Sequence, residues 1–151
     1  MTRTINGIGE MKTLVGEHLG WSPYTEITQE QVQKFAEATG DHQWIHIDVE
    51  RATAGPFGGP IAHGYLTLSL GPMLSPQVFG VSGVAMGVNY GAGKIRFPSP
   101  VPVGSKVRLG ITLVSVDDIA GGAQVTQEFV FECEGAIKPS CVAEVIFRYY
   151  V

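Results

Sequence analysis

The segment IAHGYLTLSLGPMLSPQVFG, residues 61–80, constrains this chain more than any other, because it offers almost no polar face. Leu66, Leu68, Leu70, Met73, Leu74 and Val78 surround it, and a helix that is apolar all round is stable only where other elements cover it. It reads as a buried helix over residues 62–74. Pro72 and Pro76 impose a kink or an early end on it, because proline lacks the amide hydrogen that a helix interior uses. The cover comes later in the chain. VRLGITLVSV, QVTQEFVFECE and CVAEVIFRYYV alternate apolar with polar residues, as in Val125, Phe129 and Phe131 against Thr126, Glu128 and Glu132. Their β-branched and aromatic content and their period of two mark them as half-buried strands. The connections at residues 117–122 and 134–139 are short and rich in turn formers, so consecutive strands are expected to pair as hairpins. Residues 84–90 and 94–97 supply an earlier strand, interrupted by the glycines of NYGAG.

An apolar helix followed by long antiparallel strands implies an α+β fold whose sheet wraps around a central buried helix, the arrangement called a hot-dog fold. At 151 residues, with no internal repeat and no low-complexity linker, the chain is expected to form one domain over 1–151. Upstream, TQEQVQKFAEATG carries a helix over residues 29–39. Thr28 and Gln31 stand at the capping-box spacing, Val32, Phe35 and Ala36 share a face, and Gly40 closes the last turn. Asp48 is placed to cap a short turn after it. A helical turn at residues 11–16 and a strand at residues 20–25 complete the reading. AGPFGGP packs three glycines and two prolines into seven residues and must be a loop.

The net charge of −4 speaks against nucleic acid as a partner, since phosphate binding needs clustered Lys and Arg. No stretch is apolar for long enough to cross a membrane, and the N-terminal residues lack the apolar run of a signal peptide, so a cytoplasmic protein without membrane insertion is expected. Charged residues make up only 16% of the chain, which leaves room for a subunit interface and favours a homodimer. Cys133 and Cys141 have no metal or redox spacing and read as buried thiols.

Chemistry is concentrated in GDHQWIH, residues 40–46. Asp41 and His46 lie in a loop between two helices, where residues serve turns or function more than packing. Taken alone, the pair is equally readable as a turn cap and a satisfied polar residue. PIAHG, residues 60–64, adds weight. A proline just before a helix leaves the amides of Ala62, His63 and Gly64 in the first turn, where no intrahelical acceptor exists. Such donors favour an oxyanion or a polarised carbonyl, and Gly64 has no side chain to block the approach. Gly64 could equally serve close packing of a strand.

GDHQWIHIDVERATAGPFGGPIAHGYLTLSL resembles the hydratase signature of the MaoC-like dehydratases, the R-specific enoyl-CoA hydratases, and NYGAGKIRFPSPVPVGSKVRL is similar to later elements of the same family. The resemblance spans residues 25–115 and is strongest to the nodulation-protein-N-like branch. It implies reversible addition of water to a trans-2-enoyl-CoA, giving an (R)-3-hydroxyacyl-CoA. Asp41 and His46 would be the catalytic pair, and the Gly64 amide the donor to the thioester carbonyl. Gln43 stands where the family has Asn and Trp44 where it has Pro, a change that touches the loop holding the pair.

The implied chemistry needs no metal and no cofactor, since coenzyme A, or alternatively acyl carrier protein, enters as part of the substrate. Gln43, Trp44, Ala62 and Tyr65 are candidate substrate contacts, as are Asn89 and Tyr90. Lys94 and Arg96, spaced to share a strand face, are candidates for the coenzyme A phosphates, although a solvated face explains them as well. His63 is assigned a structural or substrate-shaping role, and His18 and His42 are surface residues. Two other functions fit a hot-dog fold: acyl-CoA thioesterase, and non-catalytic binding of acyl thioesters.

Overall fold

The computed structural model describes residues 2–151. Its core is a sheet in the order β2 (His18–Trp21), β6 (Lys106–Ile119), β7 (Gly122–Cys133), β8 (Cys141–Tyr150), β5 (Met86–Arg96), with the short β3 (Thr25–Glu26) also paired to β6. All these pairings are antiparallel, and β6, β7 and β8 are hairpin neighbours as their connections require. The β6–β7 turn closes on Ala120 and Gly121, the latter at φ 80°, a value that glycine alone adopts without strain. Along β7 the inward residues Val125, Phe129 and Phe131 are buried, and the helices lie on this inner side. The architecture is the expected α+β hot-dog.

The central helix departs from its expected span. It breaks into α5 (Gly64–Ser69) and α6 (Gly71–Leu74), followed by a 3₁₀ turn over Ser75–Gln77. Pro72, in the first turn of α6, has no amide to continue the ladder, and its ring would collide with a carbonyl one turn back. The start is later than residue 62 because the backbone is still extended there, Ile61 forming an antiparallel bridge with Pro102 and His63 standing at ψ 138°. Ile61 N–H donates to Ile45 O at 3.0 Å and Ala62 N–H to Val101 O at 2.8 Å. Nor is the helix covered on every side: Leu66, Leu70 and Leu74 pack in the core, whereas Tyr65 is 67% exposed and Met73 48%.

Other boundaries moved for local reasons. The first helix, α1 (Gly7–Thr13), starts before residue 11, where Glu10 accepts a hydrogen bond from the Asn6 amide. The strand expected at residues 20–25 divides into β2 and β3. Pro23 has no amide to donate, and Ser22 leaves the regular ladder to accept the Leu109 N–H on its Oγ at 2.9 Å. A parallel two-stranded sheet joins β1 (Arg3–Asn6) to β4 (Phe79–Ser82). The two pieces expected at 84–90 and 94–97 are one strand, β5, with register shifts where the glycines fall. Every residue of β5 except Ile95 is exposed.

Cys133 and Cys141 are buried free thiols, and burial pushes the Cys141 thiol up to about 11. Among the described residues no helix is long and apolar enough to cross a membrane.

Candidate active site

Helix α2 (Gln29–Thr39) begins as its sequence dictates: Thr28 Oγ1 accepts the Gln31 N–H at 3.1 Å, and Gly40 ends the helix in the left-handed conformation at φ 82°. The chain then turns through Asp41, whose Oδ1 accepts the Gln43 N–H at 3.3 Å, into the one-turn helix α3 (Trp44–Ile47). So short a helix cannot hold itself. Two glutamines of α2 hold it, Gln29 Nε2 donating to His46 O at 2.9 Å and Gln33 Nε2 to Ile47 O at 3.3 Å. Asp48 then caps α4 (Val49–Thr53) through the Arg51 N–H at 3.0 Å.

His46 is thereby carried inward and is 6% exposed. Its Nδ1 lies 2.6 Å from the Ile61 carbonyl, which can only accept, so Nδ1 carries the proton and Nε2 keeps a lone pair. Burial lowers its pKa below the usual 6.5, opposed by the Ile61 hydrogen bond, reinforced by His63 and opposed again by the Asp41 charge. The net direction favours a neutral imidazole, the form a general base must have.

His63 stacks on His46 with ring centroids 3.9 Å apart and an interplanar angle of 24°, and it also meets the Phe35 ring, tilted at 53°, at 4.8 Å. Its Nε2 donates to the Asp41 main-chain carbonyl at 3.0 Å. A carboxylate oxygen of Asp41 and one nitrogen of each histidine lie within 4.8 Å of one another. Lone pairs lie in the plane of their ring, and two nearly parallel planes do not converge on one point as a tetrahedral ion would require.

His46 and Gly64 line one cavity of about 250 Å³, with Phe57, Thr67, Phe97 and Ser140 among its walls. Gly64 is the first residue of α5, and no side chain caps that end. The Phe97 ring lies against its bare face: a Cβ on Gly64 would come within 2.9 Å of it. The close-packing reading of this glycine is thus seen directly, and Gly64 also lines the cavity that His46 enters. Asp41 is exposed and does not itself line this cavity, although its carboxylate lies within 4.8 Å of a His46 ring nitrogen.

The remaining candidates separate. Ala62 lines the cavity, but its amide is committed to Val101 and is not the free donor expected. Gln43 is exposed and acts through its backbone on Asp41. Trp44 packs on Gly55 and under the Arg51 guanidinium at 4.2 Å, bracing α4. Tyr65 meets Phe97 edge-on at 5.8 Å. Asn89 lines a separate groove of about 300 Å³ with Leu68 and Phe147, and Tyr90 is stacked on Arg148 at 3.5 Å. Lys94 and Arg96 do share a face, but it is one they share with Glu128 and Glu144, away from His46. Sequence reading missed Phe57, Thr67, Phe97 and Ser140. Ser140 Oγ is buried without a partner in the protein, and nothing in a strand-edge serine announces that.

A family model described as the MaoC like domain matches residues 10–130. The chain belongs to the MaoC-like dehydratase family. It is 53% identical over 148 residues to the 3-hydroxyacyl-thioester dehydratase Z of Mycobacterium tuberculosis, covering 97% of this chain and 98% of that one. It is 39% identical over 146 residues to nodulation protein N of Rhizobium leguminosarum bv. viciae, covering 92% and 88%. In fold it is similar to an unliganded R-hydratase from Pseudomonas aeruginosa, with a TM-score of 0.72 at 21% identity over 95% of this chain and 85% of that one. This MaoC-like protein is thus a member of a hydratase and dehydratase family with the hot-dog fold.

Proposed function

We propose that the protein catalyses reversible, R-specific hydration of trans-2-enoyl thioesters, giving (R)-3-hydroxyacyl thioesters. The observation that carries this reading is a buried histidine with a free Nε2, beside a carboxylate, in the same cavity as the uncapped first amide of a helix. The 53% identity to a protein named as a 3-hydroxyacyl-thioester dehydratase supports it.

The carbonyl of the thioester rests on the Gly64 N–H, which stabilises the negative charge that develops on that oxygen. His46 Nε2 takes a proton from a water held between it and the Asp41 carboxylate, and the hydroxide adds to C3. A proton returned by the pair to C2 completes the addition. Dehydration runs the same steps backwards. No step uses a metal or redox cofactor. Coenzyme A is the carrier proposed, with acyl carrier protein as the alternative, in a cytoplasmic homodimer that covers the exposed Met86, Val88 and Tyr90 of β5.

The test follows loss of the conjugated enoyl absorbance with crotonyl-CoA and determines product configuration, for wild type beside Asp41→Asn and His46→Gln. Each proton-transfer group is typically worth about 10²- to 10⁴-fold, so both folded variants should lose at least that factor. Release of free thiol would instead make the protein a thioesterase, and binding without turnover a carrier of acyl thioesters.

A further inference from the structure

His63 is 2% exposed, and the acid–base chemistry above gives it no proton to move. Its position is nevertheless the most connected in the site. Its ring stacks on His46 and meets Phe35 of α2 at a tilt of 53°, while its Nε2 donates to the carbonyl of Asp41, twenty-two residues away in sequence. Asp41 itself is exposed at a helix end, and the other contacts of its loop are local: its N–H to Thr39 Oγ1 at 3.4 Å and its Oδ1 to the Gln43 N–H at 3.3 Å. The His63 bond ties the Asp41 backbone itself to the α5 end of the site, beside the bonds that Ile45 and His46 make to Ile61. The Nδ1 atom is buried without a partner, which ordinarily costs stability and is kept where a function requires the ring.

We infer that His63 is a positioning residue for the acid–base pair, fixing Asp41 through its main-chain carbonyl and His46 through its ring face. The inference rests on the hydratase reading for its kinetic consequence, but its structural content stands apart. The Gly64 donor follows His63 directly in the chain, so a single residue sets the relation between proton-transfer groups and oxyanion donor. Such geometry tolerates little error, since a displacement of about 1 Å can cost on the order of 10²-fold in rate.

Two substitutions divide the roles. His63→Phe keeps a ring for the stack on His46 and Phe35 and removes the donor to Asp41. His63→Gln removes the ring and keeps an amide N–H at a reach comparable to Nε2. Kinetics on crotonyl-CoA should show kcat reduced by about 10²-fold in His63→Phe with KM changed little, and part of that loss recovered in His63→Gln. Amide hydrogen exchange at Gln43 and His46, measured on the same proteins, should accelerate in His63→Phe and stay closer to wild type in His63→Gln. Wild-type kcat together with wild-type exchange in folded His63→Phe would overturn the inference, and so would a rise in KM with kcat intact, which would make His63 a substrate contact. A wild-type protein that turns over no enoyl thioester, yet shows the exchange pattern, would sink the hydratase reading and leave the positioning role standing.

Discussion

Gly64→Ala separates the oxyanion donor from everything else in the site, because alanine keeps the backbone N–H and adds only a methyl group. Gly64 is not among the glycines with a positive φ, so no backbone strain arises. The new Cβ would stand 2.9 Å from Phe97 Cδ1 and Cγ and 3.1 Å from Cδ2, well inside van der Waals contact. Phe97 is 41% exposed and can swing outward, giving up its edge contact with Tyr65. An aromatic pair of this kind is worth about 0.5–1.5 kcal/mol, which for a chain of this size lowers Tm by about 2–4 °C per kcal/mol. The effect on rate is expected to be larger. Phe97 and Gly64 are both walls of the His46 cavity, and the methyl group occupies the approach to the amide. Losing an oxyanion donor typically costs about 10²–10³ in kcat, and displacing the carbonyl from it should cost a similar factor. Steady-state kinetics on an enoyl-CoA beside a thermal melt measures both quantities. A variant with a lowered Tm and wild-type kcat/KM would refute the reasoning, because the substrate carbonyl would then not approach Gly64.

The lowered pKa of His46 predicts that kcat/KM falls on acidification with a midpoint under 6.5, as the imidazole takes up a proton. Stability should fall over the same interval: the unfolded histidine, with its ordinary pKa, binds the proton first, so acidification through 6.5 towards the folded value favours unfolding. A midpoint above 6.5 in the rate profile would contradict the burial argument. Gly71→Ala should destabilise without touching catalysis. Its Cβ would come within 2.8 Å of Phe129 Cε2, and Phe129, 2% exposed, is packed against Phe131 and Phe147, so yielding means disturbing both aromatic contacts. Overpacking of this kind costs about 1–3 kcal/mol and should appear as a drop in melting temperature with kcat retained by the folded fraction.

The parts of the fold that are legible in sequence are those decided locally. Thr28, Gln31 and Gly40 fix both ends of α2 through contacts within one turn, and alternation, unbroken along β7, fixes which face is buried. The central helix was harder, since an apolar run without period carries no mark of where it starts. Its true start depends on Pro102, far along the chain, which holds Ile61 in an extended bridge. The site divides in the same way. Asp41, His46 and Gly64 stand out by type and spacing, and the structure brings a carboxylate oxygen of Asp41 close to the His46 ring and sets Gly64 in the wall of the same cavity. That Ala62 N–H is occupied, that Trp44 braces Arg51 and that Lys94 and Arg96 face glutamates are tertiary facts with no local signature.

The exposure of β5 carries a consequence for the isolated chain. Among the described residues its only sheet partner is β8, so its opposite edge presents an unpaired row of amides and carbonyls, flanked by Met86, Val88 and Tyr90. The charges on this strand, Lys94 and Arg96, sit at one end of it and leave the Met86–Gly93 part without the repulsion that usually keeps an edge from recruiting another strand. In the homodimer proposed above, a subunit diluted below the dissociation constant would thus be adhesive as well as incomplete. Dilution and mild heating should send the protein towards aggregates seeded at this edge, and a lysine in place of Val88 should slow that loss while weakening self-association.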